Sequence, residues 1–305
     1  MRRSLIALIL LVVLAGCTAG PSGPSVRLND LDPTLAAGAQ GILPRPVLRV
    51  GLSALLAPKQ MLLRWGPLMD YLGRQLNRPI EIVLFRSYTE AIDVVRSGGV
   101  QIGLVSSYAY VLGRAEFGME ALAAPVYAGR AENQSYIIVR RYSGMTEFAH
   151  LKGHTFAYTD PISATGRLYP RALLLDYGES AERFFEHAVF TGSPDQSIRA
   201  LDQGLVDGAA VDSTVYARAV LEDPDLQRRV WVIATSPAYA APPVVAGPRV
   251  GSELKRAIAD ALTNLDQSPE GRELLASLQV DRFVPADDAA YDSVRRLSAQ
   301  VGVKP

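Results

Sequence analysis

Short apolar segments and amphipathic segments alternate along the chain from residue 47 onward, and this alternation is the strongest restriction on its fold. The apolar segments predict strands at 48–52, 80–85, 102–105, 155–158, 188–190 and 208–211. The segments between them predict helices at 58–76, 88–96, 166–177 and 197–203. Strands that alternate with helices favour an α/β fold of mostly parallel sheets flanked by helices.

The alternation divides into two similar halves. Residues 85–104 predict a strand, a polar turn, a helix, a glycine stop and a buried strand, and residues 190–209 repeat that order. Such a repeat predicts two lobes. Because the second half lies between the extended apolar segments 135–140 and 243–246, we expect the chain to cross into a second lobe and return through a two-stranded hinge. The alternative is one continuous doubly wound sheet with a helical tail.

The N-terminus carries the pattern of a secretory signal. Arg2 and Arg3 precede an aliphatic run, and the run ends in Leu14-Ala15-Gly16-Cys17. The run is too short to span a bilayer comfortably. These four residues resemble the lipobox of bacterial lipoproteins, which implies cleavage before Cys17 and attachment of lipid to it. An ordinary signal peptide with an incidental cysteine is the alternative.

We therefore predict four parts, which are a signal peptide at 1–16, a flexible tether at 17–46, a first lobe at 47–138 and 243–305, and a second lobe at 139–242. The tether follows from its Gly, Pro, Ser and Ala content. The protein is expected outside the cytoplasm, anchored to a membrane by lipid and facing the periplasm in a Gram-negative cell. Whether that membrane is the inner or the outer one stays open.

Composition excludes several functional classes. The chain has 31 basic and 31 acidic side chains and no basic stripe, which argues against nucleic acid as a partner. Its one cysteine is Cys17, so the predicted mature body has no thiol for a disulfide, a metal site or catalysis. His150 and His154 are four residues apart, but Gly153 interrupts a shared helical face. Neither a Gly-x-Ser-x-Gly turn nor a phosphate-binding loop is present. We predict a monomer without catalytic activity, metal or cofactor.

Two clusters of small polar residues follow predicted strands at helix starts. The first consists of Ser106, Ser107 and Tyr108, and the second of Ser163, Ala164, Thr165 and Gly166. Ligands of open parallel sheets collect at the carboxyl ends of the strands. Hydroxyl groups and helix-start amides can bind an oxyanion there. Simple helix capping is the alternative for each hydroxyl.

A family resemblance rests on the segments 156–166, 190–193, 204–209 and 106–108. They resemble the phosphate, phosphite and phosphonate substrate-binding proteins of ABC importers. The resemblance implies a type II periplasmic binding protein fold that closes on a small solute, and an ABC permease or another membrane partner. We add Ser193, Pro194, Asp212 and Tyr239 to the candidate ligand-binding residues. Asp212 could bind the ligand or cap the helix that follows it.

The chain departs from the family pattern at two anchors. Pro194 stands where phosphonate binders usually have a histidine, and Ala164 stands where they have a hydroxyl residue. Residues 236–243 supply no carboxylate, so a phosphonate with a cationic tail is disfavoured.

Two ligand hypotheses follow from these departures. One is a phosphonate-, phosphite- or phosphate-like oxyanion delivered to an importer. The other is a more apolar or lipid-like ligand, for example a sterol-like molecule, bound by a periplasmic carrier or sensor. Tyr108, Tyr110, Tyr127 and Tyr239 would then form the walls of the cleft. Thr18 is not the aspartate that commonly retains lipoproteins at the inner membrane, which makes an outer-membrane carrier conceivable.

Overall fold

Two separate β-sheets organise the chain, and helices pack against each. The computed structural model describes residues 46–53 and 58–303. The predicted signal peptide, Cys17 and, apart from Pro46, the predicted tether lie outside the described residues.

The strands are short, and several predicted strands appear within a residue of their expected bounds. In chain order they are β1 (Leu48–Leu52), β2 (Ile80–Leu84), β3 (Ile102–Leu104), β4 (Glu120–Val126), β5 (Glu132–Asn133), β6 (Ser135–Arg140), β7 (Thr155–Tyr158), β8 (His187–Phe190), β9 (Gly208–Asp212), β10 (Val230–Thr235), β11 (Tyr239–Ala240), β12 (Val244–Ala246) and β13 (Arg282–Pro285).

The α-helices follow the strands in the expected alternation. In chain order they are α1 (Pro58–Leu76), α2 (Tyr88–Ser97), α3 (Ser107–Phe117), α4 (Tyr169–Asp176), α5 (Ala181–Phe184), α6 (Pro194–Asp202), α7 (Ser213–Glu222), α8 (Leu226–Arg229), α9 (Ser252–Thr263), α10 (Pro269–Leu278) and α11 (Asp292–Gln300). A π-helical turn, Ala164–Leu168, precedes α4.

Each sheet forms the centre of one lobe. The first sheet has six strands in the order β13-β4-β12-β3-β1-β2, and the second has five in the order β10-β6-β9-β7-β8. Strands β1, β2 and β3 are parallel, as are β7, β8 and β9. The remaining pairs in both sheets are antiparallel. The two-lobed fold is therefore confirmed, with mixed rather than mostly parallel sheets. Strand β12 runs antiparallel to β3 in the first sheet, and β6 runs antiparallel to β9 in the second.

A third, two-stranded sheet connects the lobes. Its strands β5 and β11 are antiparallel, with Asn133 opposite Tyr239 and Glu132 opposite Ala240. The expected crossing segments, 135–140 and 243–246, instead lie inside the lobes, because β6 pairs with β9 and β12 pairs with β3. The connecting strands β5 and β11 precede these segments in the chain.

Local signals explain the helix ends that position the site. Ser87 and Ser106 cap α2 and α3, and Gly98 ends α2 with a φ of 75° that favours glycine. The C-terminal helices α9 and α10 pack on α1 in the first lobe. Among the described residues, no helix is long and apolar enough to cross a bilayer.

Candidate functional site

A small pocket lies between the two lobes, where helix starts from both of them meet. The space that it leaves open to the centre of a water molecule is about 10 Å³, roughly the room of one water. The predicted residues that line it are Ser106, Ser107, Ser163, Ala164, Thr165, Pro194 and Asp212. Tyr88, Asn133 and Pro242 complete the lining.

The first lobe contributes the start of α3. The Ser106 hydroxyl oxygen accepts a hydrogen bond from the Ala109 amide at 3.1 Å and donates one to the carbonyl oxygen of Ile162, in the second lobe, at 2.9 Å. Ser106 is therefore occupied with capping and with joining the lobes. The buried Ser107 hydroxyl forms no hydrogen bond with any residue that the structure describes. Ser107 is thus the side chain of this helix start that is available to a ligand.

The second lobe contributes the π-helical turn. The Leu168 amide donates to the Ser163 carbonyl oxygen at 3.0 Å, five residues back, which widens the turn. The Ser163 hydroxyl oxygen accepts from the Gly166 amide at 2.9 Å and so caps this turn. The amides of Ala164 and Thr165, at the helix start, have no partner within the helix. Both residues line the pocket, so these amides are available to an anion.

Two contacts fix the position of Thr165. Its carbonyl oxygen accepts a hydrogen bond of 2.5 Å from the Ser135 hydroxyl. The next residue, Gly166, packs so closely on Thr159 that a Cβ atom at position 166 would lie 1.7 Å from the Thr159 hydroxyl oxygen. The Thr165 hydroxyl forms no hydrogen bond with the described part of the chain. It is thus held rigidly at the pocket and left unpaired.

Asp212 lies at the end of β9 and both caps α7 and lines the pocket. Its Oδ1 accepts hydrogen bonds from the Thr214 amide at 2.8 Å and the Thr214 hydroxyl at 2.6 Å. Its Oδ2 accepts one from the Asn133 side-chain amide. Burial raises the pKa of the Asp212 carboxyl above its usual range, although these hydrogen bonds oppose the shift. The carbonyl oxygen of the Asn133 side chain is buried without a partner among the described residues.

Tyr88, the first residue of α2, lies in the pocket wall and at the contact between the lobes. Burial, followed by the charges of Asp160 and Asp212, raises the pKa of its phenol, so the hydroxyl remains a donor at physiological pH. Its backbone amide donates to Asp160 Oδ2, in the second lobe, at 3.1 Å. Asp160 also accepts from the Ile162 amide at 2.7 Å. Asp160 thus stabilises its own turn and also binds the opposite lobe.

A third interlobe contact lies outside the pocket. Arg64 on α1 and Glu222 on α7 form an ion pair between the lobes. The Arg64 side chain is 20% exposed and that of Glu222 is 48% exposed, so solvent reaches both groups. These interlobe contacts together describe a closed arrangement of the two lobes.

Four predicted site residues lie near this pocket without lining it. Tyr108 is buried in the core, Gly166 packs against Thr159, and Tyr239 pairs with Asn133 in the connecting sheet. Ser193 donates a hydrogen bond of 2.5 Å to Asp195. Neighbouring residues of a helix point about 100° apart, so Tyr108 can be buried beside a pocket-lining Ser107.

Three lining residues were not predicted from the sequence. Tyr88 follows a strand and begins a helix, so the rule that identified Ser107 and Thr165 also applies to it. Asn133 lies in a strand of two residues, which is too short to show a periodic pattern. Pro242 precedes β12 and has no distinguishing signal in the sequence.

The pocket surrounds its contents with neutral donors and one carboxyl group. The donors are the hydroxyls of Ser107, Thr165 and Tyr88 together with the helix-start amides. None of the residues lining the pocket is basic, and in the described ranges no cluster of His, Cys, Asp or Glu could hold a metal ion. Such a pocket suits an oxyanion. A protonated oxyanion suits it best, because its hydroxyl can donate a hydrogen bond to Asp212.

A comparison with protein families matches residues 50–291 of the chain to one family. The description of that family is "ABC transporter, phosphonate, periplasmic substrate-binding protein". The match extends over both lobes and includes every residue that lines the pocket.

Two curated proteins are similar over most of the chain. The phosphate-import protein PhnD of Mycolicibacterium smegmatis is 28% identical over 263 residues, which cover 78% of this chain and 80% of that protein. The probable ABC transporter phosphite binding protein PhnD1 of Prochlorococcus marinus is 22% identical, with 75% of this chain and 81% of that protein covered.

Solved structures share the fold. A binding protein component of an ABC phosphonate transporter from Pseudomonas aeruginosa matches with a TM-score of 0.79 and 22% identity, covering 84% of this chain and 86% of that one. PhnD1 from Prochlorococcus marinus in complex with methylphosphonate matches with a TM-score of 0.75 and 19% identity, covering 84% of this chain and 98% of that one.

Proposed function

The chain belongs to the periplasmic substrate-binding proteins of ABC phosphonate transporters, and we propose that its ligand is a small phosphorus oxyanion bound between Ser107 and Thr165. As a member of that family it is a transport binding protein outside the cytoplasm and not an enzyme. It binds a small molecule and works with an ABC transporter. The proposal concerns which ligand it takes, and through which residues.

The main support is that unpaired hydroxyls from opposite lobes line one pocket. Ser107 begins a helix of the first lobe and Thr165 lies in the π-helical turn of the second. A ligand that contacts both groups favours the closed arrangement, because a ligand shifts an equilibrium only by its different affinities for the two states. An ABC transporter could distinguish the closed shape from the open one.

The lining favours an oxyanion that is bound in a protonated form. Asp212 faces the same space as the donors, and a dianion beside its carboxylate would be repelled. One proton shared between ligand and Asp212 removes that repulsion and makes a hydrogen bond. Phosphite, phosphate and methylphosphonate can each carry this proton. They are also the compounds named for the relatives described above.

The apolar or lipid-like alternative has less support. Of the tyrosines expected as walls, Tyr108, Tyr110, Tyr127 and Tyr239, none is among the lining residues.

We also propose the domain plan and the anchoring of the chain. The pairing of β5 with β11 supports a hinge close to the proposed lobe boundaries at 138/139 and 242/243. The lipobox-like segment that ends in Cys17 supports a lipid anchor, and 17–46 would be the tether between anchor and lobes. We propose that the mature protein acts as a monomer.

Calorimetric titration of the mature chain, purified without lipid, with phosphite, phosphate and methylphosphonate tests the ligand proposal. Thr165→Ala should weaken binding of each bound anion about tenfold or more, the value of a hydrogen bond to a charged group. Tyr108→Phe is the matched control and should keep the affinity. If none of the three anions binds with a Kd below 1 mM (about −4 kcal/mol), the ligand proposal is wrong.

A further inference from the structure

A second, larger cavity shares Asn133 with the ligand pocket. It leaves about 540 Å³ open to water centres. Its walls come from the chain around the connecting strand β5, from Tyr136 on β6 and from α7. The cavity therefore lies at the junction of the two lobes, and the proposed function assigns no role to it.

Arg218 on α7 is the most informative group in this cavity. Its guanidinium is partly buried, and it forms neither a hydrogen bond nor an ion pair with the described residues. Burial lowers its pKa and the neighbouring Arg64 adds to this, whereas the more distant Tyr127, Glu222 and Asp212 oppose the shift. None of its guanidinium nitrogens is fully buried, so its five N–H donors are accessible from the cavity to an anion.

Two arginines near Arg218 form ion pairs, whereas Arg218 does not. Arg64 pairs with Glu222, and Arg199 bonds Asp195 at 2.7 Å. Both of these pairs line an adjacent cavity that Arg218 also borders. The packing of α7 on its neighbours thus leaves the Arg218 guanidinium without a carboxylate at ion-pair distance, and this guanidinium borders the 540 Å³ cavity.

The other groups of the cavity fit an organic anion. Arg130 also lacks a side-chain bond within the described chain, and Glu132 is the one acid among the lining residues, so the two arginines leave a net positive charge. The Tyr127 hydroxyl has no partner among the described residues either, and burial raises its pKa, so it is a donor. The rings of Tyr127 and Tyr136 offer apolar surface to carbon atoms.

We propose that this cavity binds the carboxylate or phosphate group of an organic molecule, with Arg218 in direct contact with the anion. The acid has two conceivable sources. It can be a second acidic group on the transported solute. This alternative rests on the proposed function and predicts a doubly acidic solute such as a carboxyalkylphosphonate. It can also be a separate organic anion whose binding beside the connecting sheet affects opening of the lobes.

Titration of the wild-type chain and Arg218→Gln with methylphosphonate, phosphonoacetate and citrate tests the proposal. A tethered acid predicts that phosphonoacetate binds more tightly than methylphosphonate, and that Arg218→Gln removes this difference, roughly tenfold. A separate anion predicts that citrate binds in the presence of saturating methylphosphonate, and that Arg218→Gln weakens citrate binding by a similar factor.

Two controls separate the possible failures. Arg228→Gln removes the same charge from an exposed position of the second lobe and should change neither titration. Methylphosphonate affinity should be equal in the wild type and Arg218→Gln. If methylphosphonate binds to neither protein, that result contradicts only the phosphorus oxyanion proposal. If Arg218→Gln, folded as judged by its thermal midpoint, binds phosphonoacetate and citrate as the wild type does, the Arg218 site is refuted.

Discussion

The Ser106 hydroxyl donates a hydrogen bond of 2.9 Å to the carbonyl oxygen of Ile162, and this bond joins the two lobes beside the pocket. The same hydroxyl caps α3. One side chain thus holds a pocket helix in place and also favours the closed arrangement of the lobes.

Ser106→Ala should therefore weaken ligand binding although Ser106 need not touch the ligand. Loss of one interlobe hydrogen bond costs the closed form about 1 kcal/mol, or roughly a fivefold rise in Kd for methylphosphonate. Ser87→Ala is the control, because Ser87 caps α2 through the Glu90 amide and makes no interlobe side-chain bond in the described structure. Equal losses of affinity in the two variants would show that capping alone explains the effect.

Asp212→Asn should change how stability depends on pH. Burial raises the pKa of Asp212 in the folded chain, so its contribution is fully present below the ordinary carboxyl pKa and is lost as pH rises through the folded value. The asparagine variant does not have this loss. In this variant, the Asn133 side chain can rotate by 180° about its last bond. Its unpartnered oxygen then accepts a hydrogen bond from the side-chain NH₂ group at position 212.

Thermal midpoints of the ligand-free protein between pH 4 and pH 8 measure the effect. The midpoint of Asp212→Asn minus that of the wild type should increase with pH, with about 1 kcal/mol corresponding to roughly 2–4 °C. A difference that is constant over this range would mean that the Asp212 carboxyl does not titrate with a raised pKa.

Arg64→Gln should weaken binding by destabilising the closed form. The ion pair between Arg64 and Glu222 joins α1 to α7 and is partly exposed, so its contribution is at most about 1 kcal/mol and decreases with salt. Arg74→Gln is the matched control, because Arg74 pairs with Glu270 within the first lobe. We expect up to a fivefold loss of methylphosphonate affinity for Arg64→Gln at low salt, which diminishes at 0.5 M salt (a Debye length of roughly 4 Å). The same loss in Arg74→Gln would contradict this explanation.

Gly166→Ala should destabilise the second lobe. The added methyl group would overlap Thr159, and overpacking of this kind costs about 1–3 kcal/mol. Thr159→Ala removes the nearest of the overlapping atoms and should restore part of the loss in the double variant. Denaturant unfolding measures the three variants, and additive effects at 159 and 166 would argue against the overlap.

Cys17→Ser should release the protein from the membrane if the lipobox-like segment is processed as proposed. Fractionation of cells that express the wild type and the variant measures the membrane-bound share. Thr18→Ser, which changes the next residue and keeps the cysteine, should stay with the membrane. Recovery of Cys17→Ser in the membrane fraction would contradict a lipid anchor at this position.

Local sequence patterns account for the α/β alternation and for the bounds of β1, β6, β7 and α1, because apolar runs and helix signals act over a few residues. Glycine at position 98 and serines at 87 and 106 likewise set helix ends locally. The sequence also brought the helix starts at Ser107 and Thr165 to one cleft, since strand direction in an α/β fold places helix starts at one edge of a sheet.

Long-range packing, which local patterns do not encode, selects which neighbouring side chains reach that cleft. Ser107 lines the pocket while Tyr108 is buried, because the angle at which a helix packs selects one of its faces. The connecting strands β5 and β11 have two residues each, which is too short for a local sequence pattern. Each is a strand only because it pairs with the other, which lies far away in the sequence. Asn133, Asp212 and Arg218 come together, or remain without partners, through that same long-range packing, which local sequence signals do not encode.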